Sequence, residues 1–415
     1  MDKQTQKTLT LKQNMLWNML GSAVGLACQW TISILVVRLA PDLNSAGLYS
    51  LAMSVYGIFS PIAQFGMYTY IITDMDGRNS IGEYVSLSIA TGFAALLLTS
   101  GYALLTCRPN SWPIIIAFAV YKGIATVIDI FHAADQKSHR MDYIGISLAL
   151  QGLLSLGSFA AVYLISCNLT YSIIAMGICT LGIGLIYDLP RTRALHHLHL
   201  GISLGKAKTI LCACSLIVFS CVLNGGFASL PRQFLSQELG DAALGIYASI
   251  ATPVAIIQVG STYIYNPLIG YFAESFHSGD RSKFIQLIKG AVLGIVAIGL
   301  VSLFGAAILG RPLLALLYGN EVASYSAVMM PLIASSVLLG VSGFLSNLLV
   351  AVRALPTMII GSGVSFAIVV ASAATCIEYF GMNGATLSLI AGCIGSIAVS
   401  CFGVFKQAKN HFSVK

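Results

Sequence analysis

Charge is what this sequence has least of. Its 415 residues include 22 Lys or Arg and 15 Asp or Glu, so 9% are charged, against about 25% in an ordinary soluble domain. That shortage excludes a cytoplasmic enzyme, a secreted disulfide scaffold and a nucleic-acid-binding domain, each of which needs a hydrated or strongly basic surface. A nucleotide loop is missing too. Gly201-Ile202-Ser203-Leu204-Gly205-Lys206 is one residue short between its glycines, and Ala207 stands where Ser or Thr would hold Mg²⁺. There is no zinc-protease helix and no Ser nucleophile elbow. His196, His197 and His199 lack an i, i+4 pair and read as solvated residues of a basic loop. No catalytic residue, metal or cofactor is therefore expected.

What is abundant is apolar surface: 57% of residues are hydrophobic, and mean hydropathy is +0.85. Apolar windows fall at roughly 14–37, 47–73, 84–106, 112–132, 143–166, 170–187, 209–230, 243–272, 285–309, 326–351, 356–377 and 383–405, each long enough for a bilayer. The first run is too long for a signal-peptide core and reads as a retained helix. The expected fold is an all-α integral membrane protein with about twelve transmembrane helices, divided into six-helix bundles 1–199 and 200–415. Most of the ten cysteines lie in the apolar runs, as small hydrophobes.

The loops fix an orientation. With both termini cytoplasmic, Lys3, Lys7, Lys12, Arg78, Lys137, Arg140, Arg191, Arg193, Lys206, Lys208, Arg281, Lys283, Lys289, Arg353, Lys406, Lys409 and Lys415 lie inside. Only Arg38, Arg108, Arg232 and Arg311 fall outside, and Lys122 lies within a helix. That is the positive-inside distribution, and the net charge of +7 belongs to one membrane face.

The halves echo each other. Asp42-Leu43 leads into Gly47-Leu48-Tyr49, and Glu238-Leu239 leads into Gly245-Ile246-Tyr247. Arg38 and Arg232 stand upstream at matching places. Even helix numbers make the repeats parallel, an arrangement that can rock about a central cavity. Few ionisable groups lie deep. Lys122, about 15 Å into its helix, is at the bilayer midplane, and Asp129 shares its face two turns on. A cationic site with a proton- or ion-carrying neighbour is one reading, and a structural ion pair to another helix is the other. Arg38 and Arg232 are either snorkelling residues or paired cations at one vestibule. Pro61, Pro253, Pro267 and Pro331 are expected to kink or break helices two, eight and ten.

Val36-Val37-Arg38-Leu39-Ala40 with Gly47-Leu48-Tyr49-Ser50 resembles the opening signature of the Wzx-type polysaccharide-unit flippases. These belong to the multidrug/oligosaccharidyl-lipid/polysaccharide exporter superfamily. Pro231-Arg232 with Leu244-Gly245-Ile246-Tyr247 is similar to the start of that family's second half. The segments Arg311–Glu321 and Gly381–Thr386 are similar to later elements. The resemblance implies alternating access by two bundles. Its cargo would be oligosaccharide on polyprenyl pyrophosphate, crossing a bacterial cytoplasmic membrane for O-antigen, capsule or exopolysaccharide synthesis. Lys122, Arg38 and Arg232 would meet the pyrophosphate, and Asp129 would serve proton or ion coupling. Glycan polymerase and glycosyltransferases would be functional partners, together with membrane lipid. With only Lys122 truly deep, the pattern points to a neutral or weakly acidic glycan. Three alternatives stay open. A cation-coupled drug exporter would want a deep carboxylate in the first helix, which has none between Lys12 and Arg38. A peptidoglycan-precursor flippase commonly has fourteen helices. A membrane polymerase or ligase would want a large outer loop.

Reporter fusions after His197 and after Gln407 should read cytoplasmic, and one after Asn44 external. A contrary sign at His197 would overturn the division into two bundles.

Overall fold

The computed structural model describes residues 9–40, 42–73, 79–196 and 198–412. Lys3, Lys7, Arg78, His197 and Lys415 lie outside them. Among the described residues, twelve helices are long and apolar enough to cross a membrane, as the hydropathy windows predict. Their principal segments are α1 (Leu11–Leu39), α2 (Asn44–Gln64), α3 (Ile81–Thr106), α4 (Trp112–Lys137), α5 (Met141–Ser166), α6 (Leu169–Ile183), α7 (Leu204–Leu239), α8 (Asp241–Val254), α9 (Arg281–Tyr318), α10 (Met329–Ala351), α11 (Leu355–Phe380) and α12 (Met382–Phe412), with the sixth span running on to Leu195 and the eighth to Tyr265. The chain is a multi-pass membrane protein.

Local chemistry sets the helix ends. Thr10 with Gln13, and Ser80 with Glu83, form reciprocal capping boxes on α1 and α3. The Asn168 side chain accepts from the Tyr171 amide at 3.2 Å, so the apparent glycosylation triplet is a helix cap. The prolines act unequally. After Pro61, α2 runs on to Gln64, and the chain turns through Phe65 and Gly66, both at positive φ. Helix α8 ends one residue after Pro253 and resumes as Ile256–Tyr265. Pro331 does not break α10: it sits in the first turn, where a missing N–H has no helical acceptor to lose.

Packing divides the chain into two compact units: the described residues of Met1–Pro41 with Val55–Val222, and those of Asp42–Ser54 with Leu223–Lys415. The division differs from 199/200 because α2 and α7 each contribute residues to both units. In the first unit α1 lies directly on α5. A Cβ added to Gly21 would strike the Gly145 backbone, and one added to Gly145 would strike the Trp17 carbonyl, the small-residue contact by which membrane helices approach closely. The linker after α6 is held to α3. The Gly201 amide donates to Ser86 Oγ at 2.7 Å, and Lys206 pairs with Glu83 at 2.8 Å. His196 lies 3.0 Å from Ser138 Oγ, and burial pushes its imidazole below its ordinary pKa.

The echo in the sequence becomes a contact inside the second unit. A Cβ on Gly47 would land on the Asp241 carbonyl, and one on Gly245 would land on the Leu43 carbonyl and 3.0 Å from the Gly47 nitrogen. Each glycine faces the carbonyl four residues ahead of the other, so the two motifs meet with the symmetry of the repeat. Gly47→Ala and Gly245→Ala should each cost about 1–3 kcal/mol, because backbone cannot step aside as a side chain can. Thermal unfolding in detergent should show a lowered midpoint for both. Gly92→Ala, with nothing within 4 Å of the new Cβ, should leave the midpoint unchanged.

Candidate functional site

The polar residues of α4 lie on one stripe: Lys122, Asp129, His132 and Gln136 follow at spacings of seven, three and four. Lys122 is half-buried and makes no ion pair among the described residues. Its ammonium lies 5.0 Å from the Tyr121 ring centroid and 5.8 Å from that of Phe118. Those rings meet edge to face at 5.9 Å, and Phe118 meets Tyr56 in the same way at 6.2 Å. The Tyr56 hydroxyl in turn reaches Thr126 at 3.4 Å. The partner of Lys122 is thus an aromatic platform and not Asp129. A desolvated cation over such faces gains about 2 kcal/mol, close to the insertion cost of about 2.5–3.5 kcal/mol for a midplane cation.

Asp129 belongs to a different constellation. Its carboxylate, 46% exposed, lies 3.6 Å from His132 Nδ1. His132 is buried, and its other nitrogen is 3.6 Å from Asp188, which is fully buried. The far oxygen of Asp188 accepts from Ser147 at 2.9 Å, and Ser147 accepts from Gln151 at 3.0 Å. One turn past His132, Asp135 is fully buried, and neither of its carboxyl oxygens has a hydrogen-bond donor among the described residues. Gln136 accepts from the Tyr68 hydroxyl at 2.6 Å. The neighbouring arginines are occupied. Arg140 grips Asp142 with two bonds of 3.0 and 2.8 Å, which raises its pKa, and Arg191 stacks on Tyr187 at 3.6 Å.

The backbone explains how Asp188 reaches His132. Helix α6 passes through a π-helical turn, Gly184–Asp188, before continuing as Leu189–Leu195. The wider turn shifts helix phase, a device common at functional sites. At Gly184 a Cβ would come within 2.9 Å of Ile128, so α6 needs a glycine there to approach α4. The result is a chain of titratable groups with one end, Asp129, accessible and the other, Asp188, sealed. His132 thus sits between two carboxylates, each 3.6 Å from one of its ring nitrogens.

Of the residues singled out from sequence, Lys122 and Asp129 lie on one helix of the first unit. Arg38 is exposed near the end of α1 in the same unit, and Arg232 is half-buried in α7 within the second. His132, Asp135 and Asp188 escaped sequence reasoning. His132 follows Asp129 by three, a spacing that could have flagged it, whereas nothing in the sequence marks the π turn.

No protein-family model matches the chain. The capsular polysaccharide biosynthesis protein CapF of Staphylococcus aureus is 23% identical over 296 residues, 71% of this chain and 74% of CapF. Among solved structures, the lipid II flippase MurJ in an inward closed conformation aligns with a TM-score of 0.70 at 10% identity, covering 97% of this chain and 90% of MurJ. The Vibrio cholerae MATE transporter VcmN, as a point mutant, aligns at 0.61 and 13% identity over 98% and 97%. An inward-facing multidrug resistance MATE transporter of the MOP superfamily aligns at 0.69 and 12% over 94% and 98%. The chain therefore has the all-helical fold of these structures.

If His132 and Asp188 act as a pair, removing one leaves a buried polar group uncompensated. Asp188→Ala should cost about 3–5 kcal/mol, and adding His132→Ala should cost less than the sum of the single changes. Additive losses in thermal unfolding would show that the two do not interact.

Proposed function

We propose that the protein is a flippase that moves polyprenyl-pyrophosphate-linked oligosaccharide units across a bacterial cytoplasmic membrane for surface polysaccharide synthesis. The similarity to a capsular polysaccharide biosynthesis protein over 71% of the chain carries this reading, and the transporter fold supplies the means. In it both termini are cytoplasmic, residues 1–199 and 200–415 form repeats that rock about a central cavity, and no covalent chemistry is performed. Glycosyltransferases supply the cargo and a glycan polymerase consumes it.

Lys122 is the proposed anchor for the pyrophosphate. Its aromatic platform holds an ammonium without neutralising it, so the charge stays available to an anion at the midplane. Arg38 and Arg232 are the proposed outer cations. Asp129 is the proposed entry for a coupling proton, with His132 as the carrier and Asp188 as the buried end. A buried, chargeable set also suits a cation-coupled drug exporter, and the MATE neighbours favour that as a second reading.

Loss of the protein should stop surface glycan display while lipid-linked units accumulate in the inner leaflet. Normal glycan with raised drug sensitivity would put the exporter reading ahead. Lys122→Ala should abolish glycan complementation at normal membrane abundance, because no carboxylate is orphaned by it. Lys122→Arg should keep partial activity, since charge is retained while shape changes. Full complementation by Lys122→Ala would remove that residue from the mechanism.

A further inference from the structure

The end of the second unit where α9 begins and α12 finishes is rich in cations: its described residues include Arg281, Lys283, Lys289, Arg353, Lys406 and Lys409, against the two carboxylates Glu274 and Asp280. The Asp280 carboxylate is engaged as the cap of α9, accepting from the Lys283 amide at 2.9 Å. A cleft of about 460 Å³ lies between α9, α10 and α12 at this end. Its floor is Leu345, Leu348 and Val404, all buried. Its walls are apolar and uncovered, with Ile285 39% and Phe405 67% exposed. Arg281 and Lys409, both exposed and neither in an ion pair among the described residues, stand at one end. Cys401 lines the cleft two turns up α12 from Lys409, about 12 Å along the helix.

We propose that this cleft binds an anionic glycerophospholipid, with one acyl chain in the trough and its phosphate between Arg281 and Lys409. Ile285 and Phe405 leave the trough open at the surface of the second unit, so a chain can enter from the bilayer. Two cations on neighbouring helices converge where a headgroup phosphate would lie. A zwitterionic headgroup would bring its own ammonium against them, which selects for net negative lipid. The length of about 12 Å matches most of one leaflet's hydrocarbon depth, about 15 Å. It takes an ordinary acyl chain and leaves most of a long polyprenyl chain uncovered. The site is independent of what the protein transports.

Native mass spectrometry of the purified full chain tests this, with phosphatidylglycerol and phosphatidylcholine of identical chains as probes. Wild type should prefer phosphatidylglycerol by about tenfold or more. Arg281→Gln with Lys409→Gln should abolish that preference. Lys283→Gln with Lys406→Gln, which removes the same charge from the same two helices, should keep it. Equal binding of both lipids, or equal loss in both double variants, would overturn the proposal. Cys401→Trp fills the trough with all charges intact and should reduce phosphatidylglycerol binding; unchanged binding would place the lipid elsewhere. Undecaprenyl phosphate is the competing source: if it displaces phosphatidylglycerol at lower concentration, the cleft belongs to prenyl carriers and the proposal fails. Both substituted cations are exposed, so the unfolding midpoint of the double variant in neutral detergent should match wild type.

Discussion

A bilayer offers no water to a buried polar group, and every unusual feature of this chain answers to that constraint. Backbone amides are satisfied within helices, which leaves the side chains to be partnered one by one. Many serines and threonines turn back onto their own helix, as Thr99 does on Ala95 at 2.7 Å and Ser249 on Gly245 at 2.7 Å. The ionisable groups cannot do this. Lys122 is placed over rings, His132 between carboxylates, and Arg140 in the fork of Asp142. Asp135, one turn from His132, has no donor for either side-chain oxygen among the described residues.

The same solvent removes the hydrophobic drive for helices to associate, because lipid is as apolar as a neighbouring helix. Close contact must then come from shape, and glycine supplies it where helices cross. Gly21 against Gly145 fixes α1 on α5, and Gly47 against Gly245 joins the two echo motifs. The second contact is informative about ancestry as well as packing. Two helices related by a repeat can meet symmetrically only if the same residue is small in both, and here each glycine covers the carbonyl equivalent to the one covering it.

Much of this was legible in the sequence. Hydropathy reports burial in lipid directly, so the twelve spans could be read off, and a lone Lys122 in an apolar window marks itself. Partner identity was not legible. The stripe placed Asp129 on the face of Lys122, but two turns separate them, and a histidine three residues on is nearer to Asp129 than any lysine seven residues back. Asp188 falls just past the apolar window 170–187, where charge density rises. A π turn carries it inward, and such a turn depends on packing of α6 against α4 at Gly184 rather than on a local signature. Pro331 shows the converse: its type suggested a break, while its position in the first turn made it harmless.

That α4 carries both Lys122 and the His132 cluster has an energetic consequence for the proposed transport cycle. Seven residues place Lys122 and Asp129 about 10 Å apart along the axis. At an effective dielectric constant of about 20, unit charges at that distance interact by about 1.7 kcal/mol. An anion docking on Lys122 would cancel that field at the cluster, removing up to this energy of repulsion towards a positive charge there. By linkage, a positive charge at the cluster would favour anion binding at Lys122 by the same energy. One rigid helix could thus tie cargo binding to proton uptake without any change of shape between them. The coupling would be modest, and it would depend on the stretch between the two groups staying dry, because water entering along the stripe would raise the dielectric constant and reduce the interaction towards about 0.4 kcal/mol.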